Sequence, residues 1–176
     1  MNKEEANVSL IVDTKECFDF IGPDAMDERK FPKEVPGIKA AADKYKESLN
    51  HLAKKVFRAF AVYLKLDDPD FFIKKHGIVF NPRPERNLNH TSLRTNYYWA
   101  LGPEAVIGPD SMRLGAHNDW GTMAFLFQDQ AGGLEAKHTN GTWIPVTPIP
   151  NSIVFNAGIM LEMWSGGHFI GTVKIQ

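Results

Sequence analysis

The stretch Gly115-Ala-His117-Asn-Asp119-Trp-Gly-Thr122 places an imidazole and a carboxylate two residues apart. Side chains along an extended strand alternate between its two faces, so His117 and Asp119 are predicted to point to the same side. One histidine and one carboxylate supply two of the three ligands in the facial triad that holds non-heme Fe(II). The stretch therefore predicts a metal site with His117 and Asp119 among its ligands.

A His-x-Asp pair is weak evidence when it stands alone. Six histidines and eleven aspartates in 176 residues give roughly 0.4 such pairs by chance. The alternative interpretation is a surface histidine beside an aspartate in a turn. The surrounding sequence has to decide between these two interpretations.

The composition is that of an ordinary globular protein, with 43% hydrophobic and 23% charged residues. No run of about 18 apolar residues is present, and the net charge of −1 gives no reason to expect a nucleic-acid or membrane partner. Cys17 is the single cysteine, which excludes an internal disulfide and a thiolate zinc cluster. We therefore expect a reducing, cytoplasmic setting.

The chain changes character near residue 88, which divides it into an N-terminal helical segment (1–88) and a β-rich core (89–176). Residues 36–66 are predicted to form one long helix, because apolar residues recur at steps of three and four. A short second helix is predicted to follow, with Asp68 as its N-cap and Pro69 at its first position. The apolar stripe of the long helix consists of Ile38, Tyr45, Leu49, Leu52, Val56, Phe60 and Leu64.

After residue 88 the pattern changes to short strands separated by turn residues. Thr139-Asn140-Gly141 predicts a hairpin turn between two of them. Seven short strands at this spacing indicate an all-β sandwich or barrel with helices packed on it. The predicted strands are residues 92–99, 112–119, 122–128, 133–138, 142–146, 152–156 and 169–175.

A series of phrases spread over nearly the whole chain resembles the isopenicillin N synthase-like family of Fe(II)/2-oxoglutarate-dependent oxygenases. Their order and spacing are far more specific than His-x-Asp alone. The phrases are Asp13-Thr-Lys-Glu-Cys-Phe-Asp-Phe20, Leu93-Arg-Thr-Asn-Tyr-Tyr98, Gly115-Ala-His-Asn-Asp-Trp-Gly-Thr122, Leu126-Phe-Gln-Asp-Gln-Ala-Gly-Gly-Leu-Glu135, Gly141-Thr-Trp-Ile-Pro-Val146 and Asn156-Ala-Gly-Ile-Met-Leu-Glu-Met-Trp-Ser-Gly-Gly167.

The resemblance implies a mainly β fold with flanking helices and a double-stranded β-helix (jelly-roll) core. It implies Fe(II) as cofactor, 2-oxoglutarate as co-substrate and a small molecule as substrate. His117 and Asp119 match the first two iron ligands, and Asn96 and Tyr98 match a pair that contacts 2-oxoglutarate. Arg94 shares a strand face with these two by the two-residue period, and it is a candidate for the substrate pocket.

The chain departs from this family at the third iron ligand. The family has a histidine at the position where this chain has Lys174. A protonated lysine has three donors and no lone pair, so it cannot bind a metal ion. We therefore expect weak Fe(II) binding and no measurable turnover of 2-oxoglutarate.

We also expect the family's Arg-x-Ser segment, which holds the far carboxylate of 2-oxoglutarate, and its last strand to lie beyond Gln176. The family's initial segment is expected before Asp13. This chain is then a truncated product or an interrupted gene model, with a core incomplete at its C-terminal end. An open sheet edge would favour self-association.

The other histidines do not replace the missing ligand. His168 lies six residues before Lys174, about 20 Å along an extended strand. It is interpreted as a surface residue, and the same interpretation covers the remaining four. These are His51, His76, His90 and His138.

Three functions stay open on this reasoning. The first is an Fe(II)/2-oxoglutarate-dependent dioxygenase that is inactive as this chain. The second is a non-catalytic remnant, a β-domain that binds a partner. The third is an Fe(II) oxidase of the same fold that does not use 2-oxoglutarate.

Overall fold

The computed structural model describes residues 15–20, 31–76, 91–103 and 112–175. The described residues form eight strands and three helices. The strands are β1 (Glu16–Phe20), β2 (Leu93–Tyr97), β3 (His117–Asn118), β4 (Met123–Leu126), β5 (Glu135–Lys137), β6 (Trp143–Pro145), β7 (Val154–Ala157) and β8 (Val173–Ile175). The helices are α1 (Ile38–Tyr63), α2 (Phe71–Lys75) and α3 (Ile159–Trp164).

The chain divides into two compact units. One spans residues 17–96, and the other joins the residues up to Glu16 with residues 97–176. The division predicted at residue 88 stays a prediction. None of the described helices is long and apolar enough to cross a membrane.

The first unit is built around α1, which confirms the predicted long helix with slightly shorter bounds. The predicted stripe is half-buried, and the most deeply buried positions lie one residue further on, at Ala53, Phe57 and Ala61. Phe57 stacks on Phe72 of α2, with ring centroids 6.0 Å apart. This apolar contact joins the two helices.

The N-terminal end of α1 packs against a small β-sheet. β1 and β2 pair as a two-stranded sheet, and β1 is a strand that the sequence reasoning did not predict. Phe20 of β1, Phe31 and Ala42 form a buried cluster, against which Ile38 and Leu93 are packed. Phe20 and Phe31 stack with ring centroids 4.9 Å apart.

The start of α2 differs from the prediction. The helix begins at Phe71 with Asp70 at the N-cap position. Asp68 instead accepts a hydrogen bond from the Asp70 backbone N–H at 3.0 Å through its side chain. The side chain of an N-cap makes this same bond to the second residue after it, so Asp68 caps the turn that precedes the helix, and the regular helix begins two residues later than predicted.

The second unit contains two antiparallel sheets. The four-stranded sheet has the order β3-β8-β5-β6, and the two-stranded sheet pairs β4 with β7. Pairing of the early strands β3 and β4 with the late strands β8 and β7 is the pattern of a jelly roll. The fold is thus the predicted jelly-roll core with helices.

All seven predicted strands are present, each shorter than predicted. The hairpin between β5 and β6 is confirmed: Gly141 has a positive φ of 91°, and the Asn140 side chain accepts a hydrogen bond from the Thr142 backbone N–H at 3.0 Å. α3 follows β7, with Gly158 at its N-cap position. This framework brings residues far apart in sequence to one face of the larger sheet.

Candidate metal site

His117 lies on β3, and its ring is held by the backbone. Nδ1 is 2.9 Å from the Gly115 carbonyl oxygen, which can only accept, so Nδ1 carries the proton and donates. In a neutral ring this tautomer leaves the lone pair on Nε2, which lies 3.9 Å from Asp119 Oδ1. A histidine oriented in this way is ready to bind a metal through Nε2.

Lys174 lies directly opposite His117 in the antiparallel pairing of β3 with β8. Residues directly opposite in such a pair place their side chains on the same face. Nζ of Lys174 donates to Asp119 Oδ2 at 2.5 Å, and the lysine is 9% exposed. The expected proximity of Lys174 to His117 and Asp119 is confirmed.

Asn156 is a further neighbour of the carboxylate. It is a buried residue of β7, and its Nδ2 donates to Asp119 Oδ2 at 2.7 Å. One carboxylate oxygen thus accepts two hydrogen bonds, from an ammonium and from an amide. Asn156 Oδ1 is buried and has no hydrogen bond within the described part of the chain.

These contacts set the charge state of Asp119. Burial acts to raise the pKa of Asp119, but the hydrogen bonds from Lys174 and Asn156 and the positive charge of Lys174 outweigh it. The net effect holds the pKa of this carboxyl below its ordinary value. Asp119 is therefore a carboxylate paired with an ammonium at neutral pH.

The beginning of α3 fixes the backbone beside the carboxylate. The Ile159 N–H donates to the Asp119 carbonyl at 2.9 Å, and the Met160 N–H donates to the Gly121 carbonyl at 3.2 Å. A Cβ on Gly158 would lie 2.2 Å from the Gly121 oxygen and 2.8 Å from the Asp119 oxygen. Only glycine allows this approach of the two backbone segments.

The sequence reasoning assigned no role to Asn156 or Gly158. Both lie in the phrase Asn156–Gly167 that carried part of the family resemblance. Asn156 and Gly158 could have been placed near Asp119 if the antiparallel pairing of the late strands with the early strands had been known. That pairing depends on the fold, which a local pattern does not contain.

The remaining predicted site residues have surroundings of their own. Arg94 donates to both oxygens of Asp19, at 2.5 and 2.6 Å, in an exposed bidentate ion pair between β2 and β1. Asn96 is exposed on β2, and Tyr98 is half-buried just after it. Their roles toward 2-oxoglutarate and substrate stay predictions.

The other histidines separate into two kinds. His51, His138 and His168 are exposed, as predicted. His76 is not a surface residue: its ring stacks on Phe57 at 4.4 Å, and Nδ1 lies 2.7 Å from the Phe72 carbonyl oxygen. His90 lies outside the described residues.

The residues present do not fit a three-ligand Fe(II) site. No group of three or more His, Cys, Asp or Glu side chains within the described ranges is arranged to hold a metal ion. The third position around His117 and Asp119 belongs to Lys174, which has no lone pair to offer while it is paired with Asp119.

Comparison with known proteins gives a consistent result. Residues 89–173 match the model of the 2OG-Fe(II) oxygenase superfamily. A 1-aminocyclopropane-1-carboxylate oxidase of Dictyostelium mucoroides is 27% identical over 167 residues, which are 86% of this chain and 45% of that protein. The 2-oxoglutarate-dependent dioxygenase gloF of Glarea lozoyensis is 27% identical over 93% of this chain and 48% of its own length.

Solved structures extend the comparison to the fold. A full-length Neurospora crassa protein, solved in complex with alpha-KG and thymine, is 32% identical, with a TM-score of 0.77 over 93% of this chain and 48% of that one. JOX2, solved with 2OG, Fe and JA, is 25% identical, with a TM-score of 0.73 over 93% of this chain and 45% of that one. The chain thus spans about half the length of the relatives that it matches. Residues 89–173 therefore belong to the 2OG-Fe(II) oxygenase superfamily, a family with a jelly-roll core that uses Fe(II) and 2-oxoglutarate.

Proposed function

We propose that this chain carries the metal-facing part of an Fe(II)/2-oxoglutarate-dependent dioxygenase that acts on a small molecule. His117 and Asp119 stand in the positions of two iron ligands. Asn96 and Tyr98 are assigned to 2-oxoglutarate, and Arg94 to the substrate pocket. We propose further that the chain with Lys174 in the third position does not turn over 2-oxoglutarate.

The observation that carries this proposal is the contact between Lys174 and Asp119. A divalent ion bound to Asp119 would lie about 4 Å from the ammonium, and charges of +2 and +1 at that distance repel by roughly 8 kcal/mol at an effective dielectric constant of 20. Lys174 and Asn156 both bind Oδ2, so a metal ion on the other oxygen, Oδ1, would experience this repulsion. Iron binding is therefore weakened while Lys174 stays paired with Asp119.

Small organic molecules are the substrate class that relatives support. The Neurospora crassa protein was solved with thymine and JOX2 with JA, and both are small ligands. The net charge of −1 gives no support to a nucleic-acid partner. We also propose a cytoplasmic location, because a chain with a single cysteine has no internal disulfide and suits a reducing compartment.

Succinate release from 2-oxoglutarate tests the proposal. The purified chain is incubated with Fe(II), ascorbate and 2-oxoglutarate, and succinate is measured beside the variant His117→Ala. We expect the two proteins to give the same background signal. Succinate formation by the unmodified chain that disappears in His117→Ala contradicts the proposed inactivity.

A non-catalytic β-domain that binds a partner is the second candidate. The Lys174–Asp119 ion pair favours it, because Lys174 balances the charge of the Asp119 carboxylate without a cofactor. This candidate predicts that Asp119→Asn and His117→Ala leave partner binding intact, as measured by the amount of partner that each variant retains. Loss of binding in either variant would argue against it.

An oxidase of the same fold that does not use 2-oxoglutarate is the third candidate. The Dictyostelium relatives named 1-aminocyclopropane-1-carboxylate oxidase favour it. Oxygen consumption with Fe(II) and ascorbate, in the absence of 2-oxoglutarate, distinguishes it from the first candidate. We expect no protein-dependent oxygen consumption by this chain.

A further inference from the structure

Lys174 is held at the centre of the larger sheet. β8 lies between β3 and β5, and Lys174 pairs with His117 on one side and with Ala136 on the other. A strand paired on both sides has little freedom to shift its register. The side chain of Lys174 therefore starts from a fixed point on the face that carries His117 and Asp119.

The burial of this lysine distinguishes it from other ion-paired lysines. The Lys174 side chain is 11% exposed and that of Asp119 is 27% exposed. The lysines of two described surface pairs, Lys39–Asp43 and Lys74–Asp68, are 31% and 69% exposed. Water can solvate the surface lysines, whereas the ammonium of Lys174 depends on its partner.

The Asp119 carboxylate in turn requires a cation to balance its charge. Asp119 is partly withdrawn from water, and in a metal site the metal ion balances such a charge. Here its oxygen Oδ2 is bound by the Lys174 ammonium and by Asn156, while His117 Nε2 lies 3.9 Å from Oδ1. The cation that balances Asp119 is thus part of the chain.

We propose that the ammonium of Lys174 is a tethered cation that takes the place of the metal ion, so that this site is held together without a divalent ion and excludes one. The proposal rests on the proposed function, which assigns His117 and Asp119 to the metal positions. It predicts that replacing this lysine by a metal ligand opens the site to a divalent ion.

Direct binding of Mn(II), followed by electron paramagnetic resonance of the free ion, tests the exclusion. We expect at most weak binding by the unmodified chain, and in Lys174→His an affinity higher by at least about tenfold, the scale of single contacts at metal sites. Adding Asp119→Asn to Lys174→His should abolish the gain. Lys137→His is the matched control, because Lys137 is an exposed lysine on the neighbouring strand β5, and it should behave like the unmodified chain.

The unfolding equilibrium in urea tests the tethered cation without any metal. Lys174→Met, Asp119→Asn and the double variant form a cycle. We expect each single change to raise the equilibrium constant for unfolding by some factor. The factor for the double variant should be at least about tenfold smaller than the product of the two single-variant factors. Adding Mn(II) or a chelator should not shift the midpoint of the unmodified chain.

The outcomes separate the two proposals. Tight Mn(II) binding by the unmodified chain, or purely multiplicative effects in the cycle, overturns the tethered cation and leaves the ligand assignment standing. Coupling in the cycle without Mn(II) binding by Lys174→His overturns the assignment of His117 and Asp119 to the metal positions. The claim that Lys174 replaces a metal ion then falls with it.

Discussion

The contact between α1 and α2 and the contact between β3 and β8 are stabilised in opposite ways. In the helical unit, Phe57 and Phe72 are 2% and 1% exposed and stack on each other. In the sheet unit, the Lys174 ammonium of β8 binds the carboxylate of Asp119, the residue that follows β3. Apolar contacts are non-directional and spread over many atoms, whereas the ion pair depends on two groups at one distance.

This difference has a consequence for tolerance to change. A packed aromatic cluster loses stability in proportion to the atoms removed. A buried ion pair contributes little net stability, because the cost of desolvating its charges offsets most of their attraction. Removal of one partner is nevertheless destabilising, because it leaves the other as an uncompensated charge. The stability of the helical unit should therefore depend on the size of its buried side chains. The stability of the site should depend on the charges of its side chains and on the position of its backbone.

The largest expected effect comes from the helical contact. Phe57→Ala removes a ring that packs on both Phe72 and His76, and we expect a loss of about 4 kcal/mol in the free energy of unfolding. Urea denaturation followed by circular dichroism measures it. Val62→Ala on the same helix is the control, because Val62 is 70% exposed, and its effect should be small. Equal losses in the two variants would refute the apolar account of this unit.

A backbone clash at the site should have the next largest effect. Gly158→Ala places a methyl group 2.2 Å from the Gly121 oxygen, so the Asp119 segment has to move. We expect this to lower the free energy of unfolding by about 2 to 3 kcal/mol. Gly121→Ala is the matched control, because a Cβ there meets no atom within 4 Å. The denaturation midpoints of the two variants measure the difference. A fully stable Gly158→Ala protein would show that the segment can move freely.

The pH dependence of stability should report the helical contact through His76. Burial lowers the pKa of His76 below its ordinary value of 6.5, and the hydrogen bond to the Phe72 carbonyl opposes this only in part. Because the unfolded state then binds the proton more readily, stability is full above pH 6.5 and falls as the pH decreases toward the folded-state pKa. Urea midpoints between about pH 8 and pH 5 measure this loss. His76→Gln should flatten the profile, while the exposed His51→Gln should retain it.

The smallest expected effect is that of the Arg94–Asp19 pair. Arg94 is about half exposed, so solvent screening reduces the bidentate pair to about 0.5 kcal/mol. Arg94→Ala should shift the denaturation midpoint slightly, and about 1 M NaCl should remove the difference. The double variant with Asp19→Asn should lose no more than Arg94→Ala alone. A larger loss would mean that the guanidinium has additional contacts.

The parts of the fold that follow local periodicity could be predicted from the sequence. The long helix, the seven predicted strands and the hairpin at Asn140 are all present, because steps of three and four, alternation and turn residues are local signals. The proximity of Lys174 to His117 and Asp119 was also predictable, because the family resemblance places Lys174 at the position of the third iron ligand. The start of α2 was predicted two residues too early, because Asp68 bonds the Asp70 N–H in a turn that precedes the regular helix.

The supporting residues of the site could not be predicted in this way. Asn156 bonds a carboxylate 37 residues earlier, and Gly158 is required because another backbone segment lies against it. The stacking of His76 on Phe57 likewise depends on how α2 returns to α1. Such contacts arise from the tertiary arrangement, and periodicity carries no information about them.

The strand order β3-β8-β5-β6 also determines when the site can form. β3 and β5 do not pair with each other; β8 joins them, and its Lys174 lies 55 residues after Asp119. A chain emerging from the ribosome can close the β5–β6 hairpin early, but β3 has to wait for residues 173–175. Closing so long a loop is slow compared with forming a hairpin. The sheet is therefore completed late in folding, and the charges of Asp119 and Lys174 meet in that same step.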